Sequence, residues 1–184
     1  DLLEAVRIPT NIFTPVVPPG DKIGTSNGLD VIMPACHDTG SAVVGVPTTT
    51  KNYAYLSSGT WSLLGIEVDK PIINDATYAA NMTNEGGVYG TYRLLKNIMG
   101  LWIAQQCRDT WLNQGTDYSY ATLAQLAGEA EAFRSLIDPD IPEFLSHGDM
   151  PSRIRTYCSE TNQAIPETIG QVMRCVFESL ALKY

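Results

Sequence analysis

Three consecutive residues, His37-Asp38-Thr39, put an imidazole, a carboxylate and a hydroxyl together in this 184-residue chain. They follow Leu29-Asp30-Val31-Ile32-Met33, an apolar run read as a buried strand. The end of a strand is rigid and opens into a cleft, so a carboxylate there is well placed for catalysis. Such a carboxylate can take the proton from a substrate hydroxyl as that oxygen attacks an electrophile. Asp38 can equally cap the helix that follows, by accepting N–H groups of its first turn. Both readings stand on position alone, and His37 by itself reads as a hydrogen-bonded structural histidine.

A second grouping is Ser57-Ser58-Gly59-Thr60, between the strand-like runs Tyr53-Ala54-Tyr55-Leu56-Ser57 and Trp61-Ser62-Leu63-Leu64-Gly65-Ile66-Glu67-Val68. Gly59 would let a phosphate approach the main chain, with neighbouring N–H groups and hydroxyls as donors. An ordinary turn is the plainer reading. Glu85, in Asn84-Glu85-Gly86-Gly87, is either a group near a ligand or metal or a loop carboxylate. Asn97 and Gln105 fall within residues 91–112, where Leu94, Leu95, Ile98, Met99, Trp102 and Ile103 keep helical spacing. On one helix they would lie about 80° apart around the axis and about 12 Å along it, lining a wall of an elongated site or facing solvent as plain amides. Trp61, Trp102 and Trp111 read as core or seam residues.

These residues need elements to position them. Residues 1–7 are the end of a helix, and residues 8–29 are a connector with turns at Pro18-Pro19-Gly20 and Asn27-Gly28. The two runs around Gly59 are a β-hairpin, and residues 47–52 are a polar seam. Helices are expected over 91–112, 120–132, 151–163 and 166–184, with a strand near 133–137. Strand, hairpin and later helices give an α/β or α+β class.

Composition bounds the rest. With 44% hydrophobic and 17% charged residues the chain can bury a real core. Its net charge of −8 argues against partnership with nucleic acid or an anionic membrane, which need clustered Lys and Arg. No run is long enough to span a membrane. The four cysteines form no C-x-x-C pair, so neither a zinc site nor a disulfide framework is indicated, and free thiols in a reducing cytoplasm are favoured. Cys158 and Cys175 flank a turn, which leaves one disulfide as the lesser alternative. No G-x-x-x-x-G-K-[ST] and no G-x-S-x-G occur, which excludes a P-loop and disfavours an α/β-hydrolase. The chain starts at Asp1 and stops at Tyr184 within an apolar helical stripe, so it is expected to be a piece of a longer protein.

His37-Asp38-Thr39-Gly40-Ser41-Ala42, followed by Tyr55-Leu56-Ser57-Ser58-Gly59-Thr60-Trp61-Ser62, resembles the FGGY carbohydrate kinases of the actin-like ATPase superfamily. Thr83-Asn84-Glu85-Gly86-Gly87 and the run from Gly90-Thr91-Tyr92-Arg93 to Gly100-Leu101-Trp102 resemble the branch that acts on L-rhamnulose. The resemblance covers essentially the whole chain. It implies part of a ribonuclease H-like α/β fold, with a strand–Gly-Thr–strand phosphate hairpin and several helices. Residues 1–46 would end the N-terminal kinase domain and residues 47–184 would begin the C-terminal one.

The resemblance also implies roles. Asp38 would be the general base, taking the proton from the C1 hydroxyl of L-rhamnulose, which then attacks the γ-phosphate of ATP. His37, Asp38 and Thr39 would contact the sugar, and Asn97 would be a contact in the cleft. Gly59 and Thr60 would meet ATP phosphate, and Gln105 would sit on the nucleotide side. ATP and Mg²⁺ are the implied cofactors, no protein side chain here is assigned to metal, and the remaining parts of the parent kinase are the implied partner. The chain alone is expected to be inactive. Related kinases of xylulose, fuculose or glycerol, and a noncatalytic actin-like module, are the alternatives.

Overall fold

The computed structural model describes residues 2–35 and 37–184. A single helical turn, α1 (Leu2–Ala5), leads into a connector with one 3₁₀ turn at Thr10–Ile12. Strands β1 (Lys22–Ser26) and β2 (Leu29–Ile32) then form a hairpin. Its tip residues Asn27 and Gly28 have φ of 51° and 79°. Positive φ at both positions matches the twist of the strands, and Asn and Gly tolerate it. The 29–33 run is therefore a strand, but not the buried one expected, because every residue of both strands is exposed. A two-stranded ribbon has no second layer of its own in which to bury a face.

After residue 36, which lies outside the described residues, comes the short helix α2 (Asp38–Val44). Strands β3 (Ala54–Ser58) and β4 (Trp61–Val68) form the expected hairpin, with Ser58 paired to Ser62 at its closed end. Helix α3 (Asp75–Ala79) starts from a capping box between Asn74 and Thr77. Strands β5 (Thr83–Gly86) and β6 (Tyr92–Met99) complete an antiparallel sheet in the order β3-β4-β6-β5.

Strand β6 corrects the expectation of one helix over 91–112. The segment divides into β6 and helix α4 (Trp102–Asn113) at Gly100-Leu101. Leu94, Leu95, Ile98 and Met99 are all buried. They satisfy helical spacing and also a strand covered on both faces, and periodicity cannot separate the two in a short apolar run. Gly100 decides the break. A Cβ there would lie 2.5 Å from the Gly59 carbonyl oxygen and 2.7 Å from the Trp61 carbonyl carbon. Gly100→Ala is accordingly expected to cost about 1–3 kcal/mol by overpacking, read as a lower urea midpoint at unchanged slope.

The helical layer follows. Helix α5 (Tyr120–Glu129) is three residues shorter than expected and starts from a Ser119 cap. Residues 133–137 are not a strand; Leu136 instead exchanges two hydrogen bonds with the Gln163 amide. A 3₁₀ turn at Pro142–Phe144 precedes α6 (Met150–Glu160), capped by Asp149, and α7 (Ile169–Lys183), which has a Thr168/Gln171 capping box. Ile103, Leu123, Phe144, Ile154, Met173 and Val176 anchor the main core, which also takes in Met99 from the sheet. A smaller cluster of Val43, Tyr55, Leu63 and Leu95 fastens α2 to the sheet.

Cys107, Cys158 and Cys175 are free and buried in the main core, so Cys158 and Cys175 are not bonded. Burial pushes the Cys175 thiol up to about 12 and raises Cys158 and Cys107 as well. No helix of the described residues is long and apolar enough to cross a membrane.

Candidate active site

His37, Asp38 and Thr39 stand at the start of α2, with His37 in the cap position and Asp38 the first helical residue. Asp38 does not cap the helix in the usual sense, since among the described residues its Oδ1 accepts just the N–H of the next residue, Thr39, at 2.8 Å. His37 makes no side-chain cap bond either. The Asp38 carboxylate is 92% exposed, with Nδ1 of His37 3.3 Å from Oδ1. It is therefore free to meet a substrate rather than sealed in a core.

Thr39 ties this group to the sheet. Its hydroxyl accepts from Nη1 of Arg93 at 2.8 Å and lies 2.5 Å from Nδ1 of His37. Arg93 is 1% exposed, at the second position of strand β6, next to the buried Leu94 and Leu95. Its other fork donates to Glu85 Oε2 at 2.7 Å, and Glu85 is its direct partner across the β5–β6 ladder. Glu85 is thus the counter-ion of a buried cation, and it lies on strand β5 rather than in a loop. Beside it, burial raises the Tyr55 hydroxyl above its ordinary pKa. That hydroxyl and Nε of Arg93 are both buried without a hydrogen-bond partner among the described residues. Close approach of α2 depends on Gly40, where a Cβ would lie 2.9 Å from Ala35 Cβ and 3.3 Å from Arg93 Nη2.

The second group forms around the hairpin tip. Thr60 Oγ1 lies 3.3 Å from both Oε1 and Nε2 of Gln105 in the first turns of α4. The tip carbonyls also hold the start of that helix: Gly59 O accepts from Leu101 N at 2.8 Å, and Thr60 O from Trp102 N at 3.1 Å. The Gly59 N–H is already spent on the Trp61 carbonyl at 2.9 Å. The Gly59 N–H is therefore not a free phosphate donor, whereas the exposed Thr60 hydroxyl and the Gln105 amide stand at the tip as donors.

Asn97 is exposed on β6, opposite Leu63 in register, and shares no helix with Gln105. Alternation along the strand puts it on the same sheet face as Arg93 and Leu95, the face that α2 covers. The structure thus assembles His37, Asp38 and Thr39 as one group, and Gly59, Thr60 and Gln105 as another. Trp61 pairs with Met99 and Glu67 with Arg93, so the two groups lie toward opposite ends of the sheet, about 20 Å apart along the strand at 3.3 Å per residue. Asn97 falls between them. Arg93 and Tyr55 went unnoticed in the sequence, where the signal was an arginine directly before the apolar pair Leu94-Leu95.

Among the described residues no group of three or more His, Cys, Asp or Glu could hold a metal ion. One cavity of about 830 Å³ is bordered by Phe144, Arg153 and Tyr157, one of about 690 Å³ by Tyr118, Leu126 and Thr168, and one of about 430 Å³, beside α2, by Val43, Tyr53 and Glu67.

Comparison with known proteins defines the class. The fold matches the crystal structure of xylulose kinase from Rhodospirillum rubrum with a TM-score of 0.62 at 17% identity, covering 99% of this chain and 38% of that one. A ligand-bound xylulose kinase from Lactobacillus acidophilus matches the same α/β fold with a TM-score of 0.62 at 15% identity. Residues 54–184 match the C-terminal domain of the FGGY family of carbohydrate kinases, and the chain belongs to that family. A rhamnulokinase of Bacteroides thetaiotaomicron is 50% identical over 194 residues, and one of Ligilactobacillus salivarius is 43% identical over 194 residues. Each comparison takes in 100% of this chain and 39% of the relative, so the chain spans about two-fifths of the length of these relatives.

Proposed function

We propose that the chain is the catalytic-base segment of a cytoplasmic, ATP-dependent kinase that phosphorylates the C1 hydroxyl of L-rhamnulose. The observation that carries this reading is the exposed Asp38 carboxylate, presented by α2 with His37 and Thr39 beside it. Asp38 takes the proton of the sugar hydroxyl as its oxygen forms a bond to the γ-phosphorus of ATP and ADP leaves. His37, Thr39 and Asn97 hold the sugar, while Thr60 and Gln105 meet the nucleotide phosphates. Positioning and charge neutralisation supply most of such a transfer. Phosphates of ATP hold Mg²⁺ chiefly with water and a few carboxylates, and no step is assigned to the metal here.

The choice of L-rhamnulose rests on relatives named rhamnulokinase, which are 41–50% identical across all of this chain. The two groups lie far apart along the sheet and open to solvent, so the rest of the parent protein must complete the cleft. In the full-length protein, kcat/KM for L-rhamnulose is expected to exceed that for xylulose, fuculose or glycerol by about 10²-fold, the scale on which a pocket discriminates one carbon group more or less. The test is sugar-dependent ADP release, and a preference for another of these substrates would overturn the sugar assignment while leaving the kinase reading intact.

A further inference from the structure

Arg93 is a cation at 1% exposure, on a strand whose Leu94, Leu95, Ile98 and Met99 are all buried. A buried charge persists only where its donors are answered. Glu85 answers one fork at 2.7 Å and the Thr39 hydroxyl answers the other at 2.8 Å. A guanidinium has donors and no acceptor. The direction of the second bond is therefore fixed: Thr39 Oγ1 accepts, and its own proton must be given elsewhere.

Among the described residues, the other group within hydrogen-bond reach of Thr39 Oγ1 is Nδ1 of His37, at 2.5 Å. A hydroxyl whose oxygen accepts from a cation becomes a stronger donor. With Thr39 as that donor, Nδ1 is the acceptor and the ring carries its single proton on Nε2. The competing partner is the Asp38 carboxylate, 3.3 Å from the same nitrogen. With the Thr39 hydroxyl unordered, Asp38 would draw the proton onto Nδ1 and be occupied by it.

We propose that Arg93, anchored by Glu85, orders the Thr39 hydroxyl so that it donates to Nδ1 of His37 and fixes His37 as its Nε2–H tautomer. Two consequences follow for the site. The Asp38 carboxylate is left without an imidazole N–H and stays available to accept a proton. His37 turns a defined Nε2–H donor outward, from a side chain that is 56% exposed, to meet a hydroxyl or carbonyl oxygen of the substrate. Arg93 is thus a positioning residue that acts through Thr39. This use of the two groups rests on the kinase reading, whereas the relay itself does not.

The chain has only two histidines, His37 and His147, which makes the tautomer directly readable. His147 lies against Trp102, with ring centroids 4.7 Å apart, and serves as a control for the fold. The experiment is a long-range ¹H–¹⁵N correlation on ¹⁵N-histidine-labelled chain, about 1.5 pH units above the ordinary histidine value of about 6.5. The expected spectrum shows Nδ1 of His37 as the unprotonated ring nitrogen. Thr39→Val and Arg93→Met should each give a severalfold rise in the Nδ1-protonated form, with His147 unmoved. If Arg93→Met also displaces His147, the milder Thr39→Val decides. A proton on Nδ1 in the unsubstituted chain, or a His37 indifferent to Thr39→Val, overturns the relay. Failure of the kinase reading would look different, as full turnover by Asp38→Asn in the full-length protein with the tautomer as described.

Discussion

Asp38→Asn in the full-length protein is expected to lower kcat for sugar phosphorylation by about 10²–10⁴-fold, the usual contribution of a positioned general base. At 1.36 kcal/mol per decade that is about 3–5 kcal/mol of transition-state stabilisation. The loss should appear in kcat and kcat/KM alike, because the interaction is made only as the proton moves. The geometry makes this substitution informative. The side chain is 92% exposed, and its hydrogen bond from Thr39 N can be accepted equally by an amide oxygen. Folding stability should therefore change by no more than about 0.5 kcal/mol, as for surface sites generally. A stable Asp38→Asn protein with undiminished kcat would leave α2 as scaffold and favour the noncatalytic reading.

The sequence showed some of this and hid the rest for identifiable reasons. The β3–β4 hairpin was legible because two β-rich runs flank a Ser-Gly turn, and Asn27-Gly28 announced the β1–β2 turn in the same way. Helices α6 and α7 were legible from their apolar spacing and Pro-marked starts. Strand β6 was not, because a strand buried on both faces has no alternation to betray it. Its misreading carried Asn97 with it, from a helix shared with Gln105 onto a sheet face shared with Arg93. The Thr60–Gln105 contact joins residues 45 apart in sequence, and the Thr39–Arg93 bond joins residues 54 apart. Neither follows from local pattern, and both depend on which element packs where. The resemblance named Asp38, Thr60 and Gln105, but Arg93 emerges only from its burial.

That burial sets the second large effect. Glu85→Leu should destabilise the chain strongly, because it strands the Arg93 guanidinium in an apolar sheet. Breaking one side of a fully buried pair costs about 3–5 kcal/mol, and the cost here should fall toward the lower end because Glu85 is 29% exposed. The measurement is the urea midpoint of the single variant beside Glu85→Leu/Arg93→Met. Replacing both charges by apolar groups of similar volume is often neutral, so the double variant should regain most of the lost stability. A Glu85→Leu chain within about 0.5 kcal/mol of the parent would mean that the ion pair does not hold the charge. The double variant also separates two roles that the single one confounds. It keeps the sheet folded but removes the donor that fixes Thr39, so a stable protein with slow turnover would show that this costly cation serves orientation rather than stability.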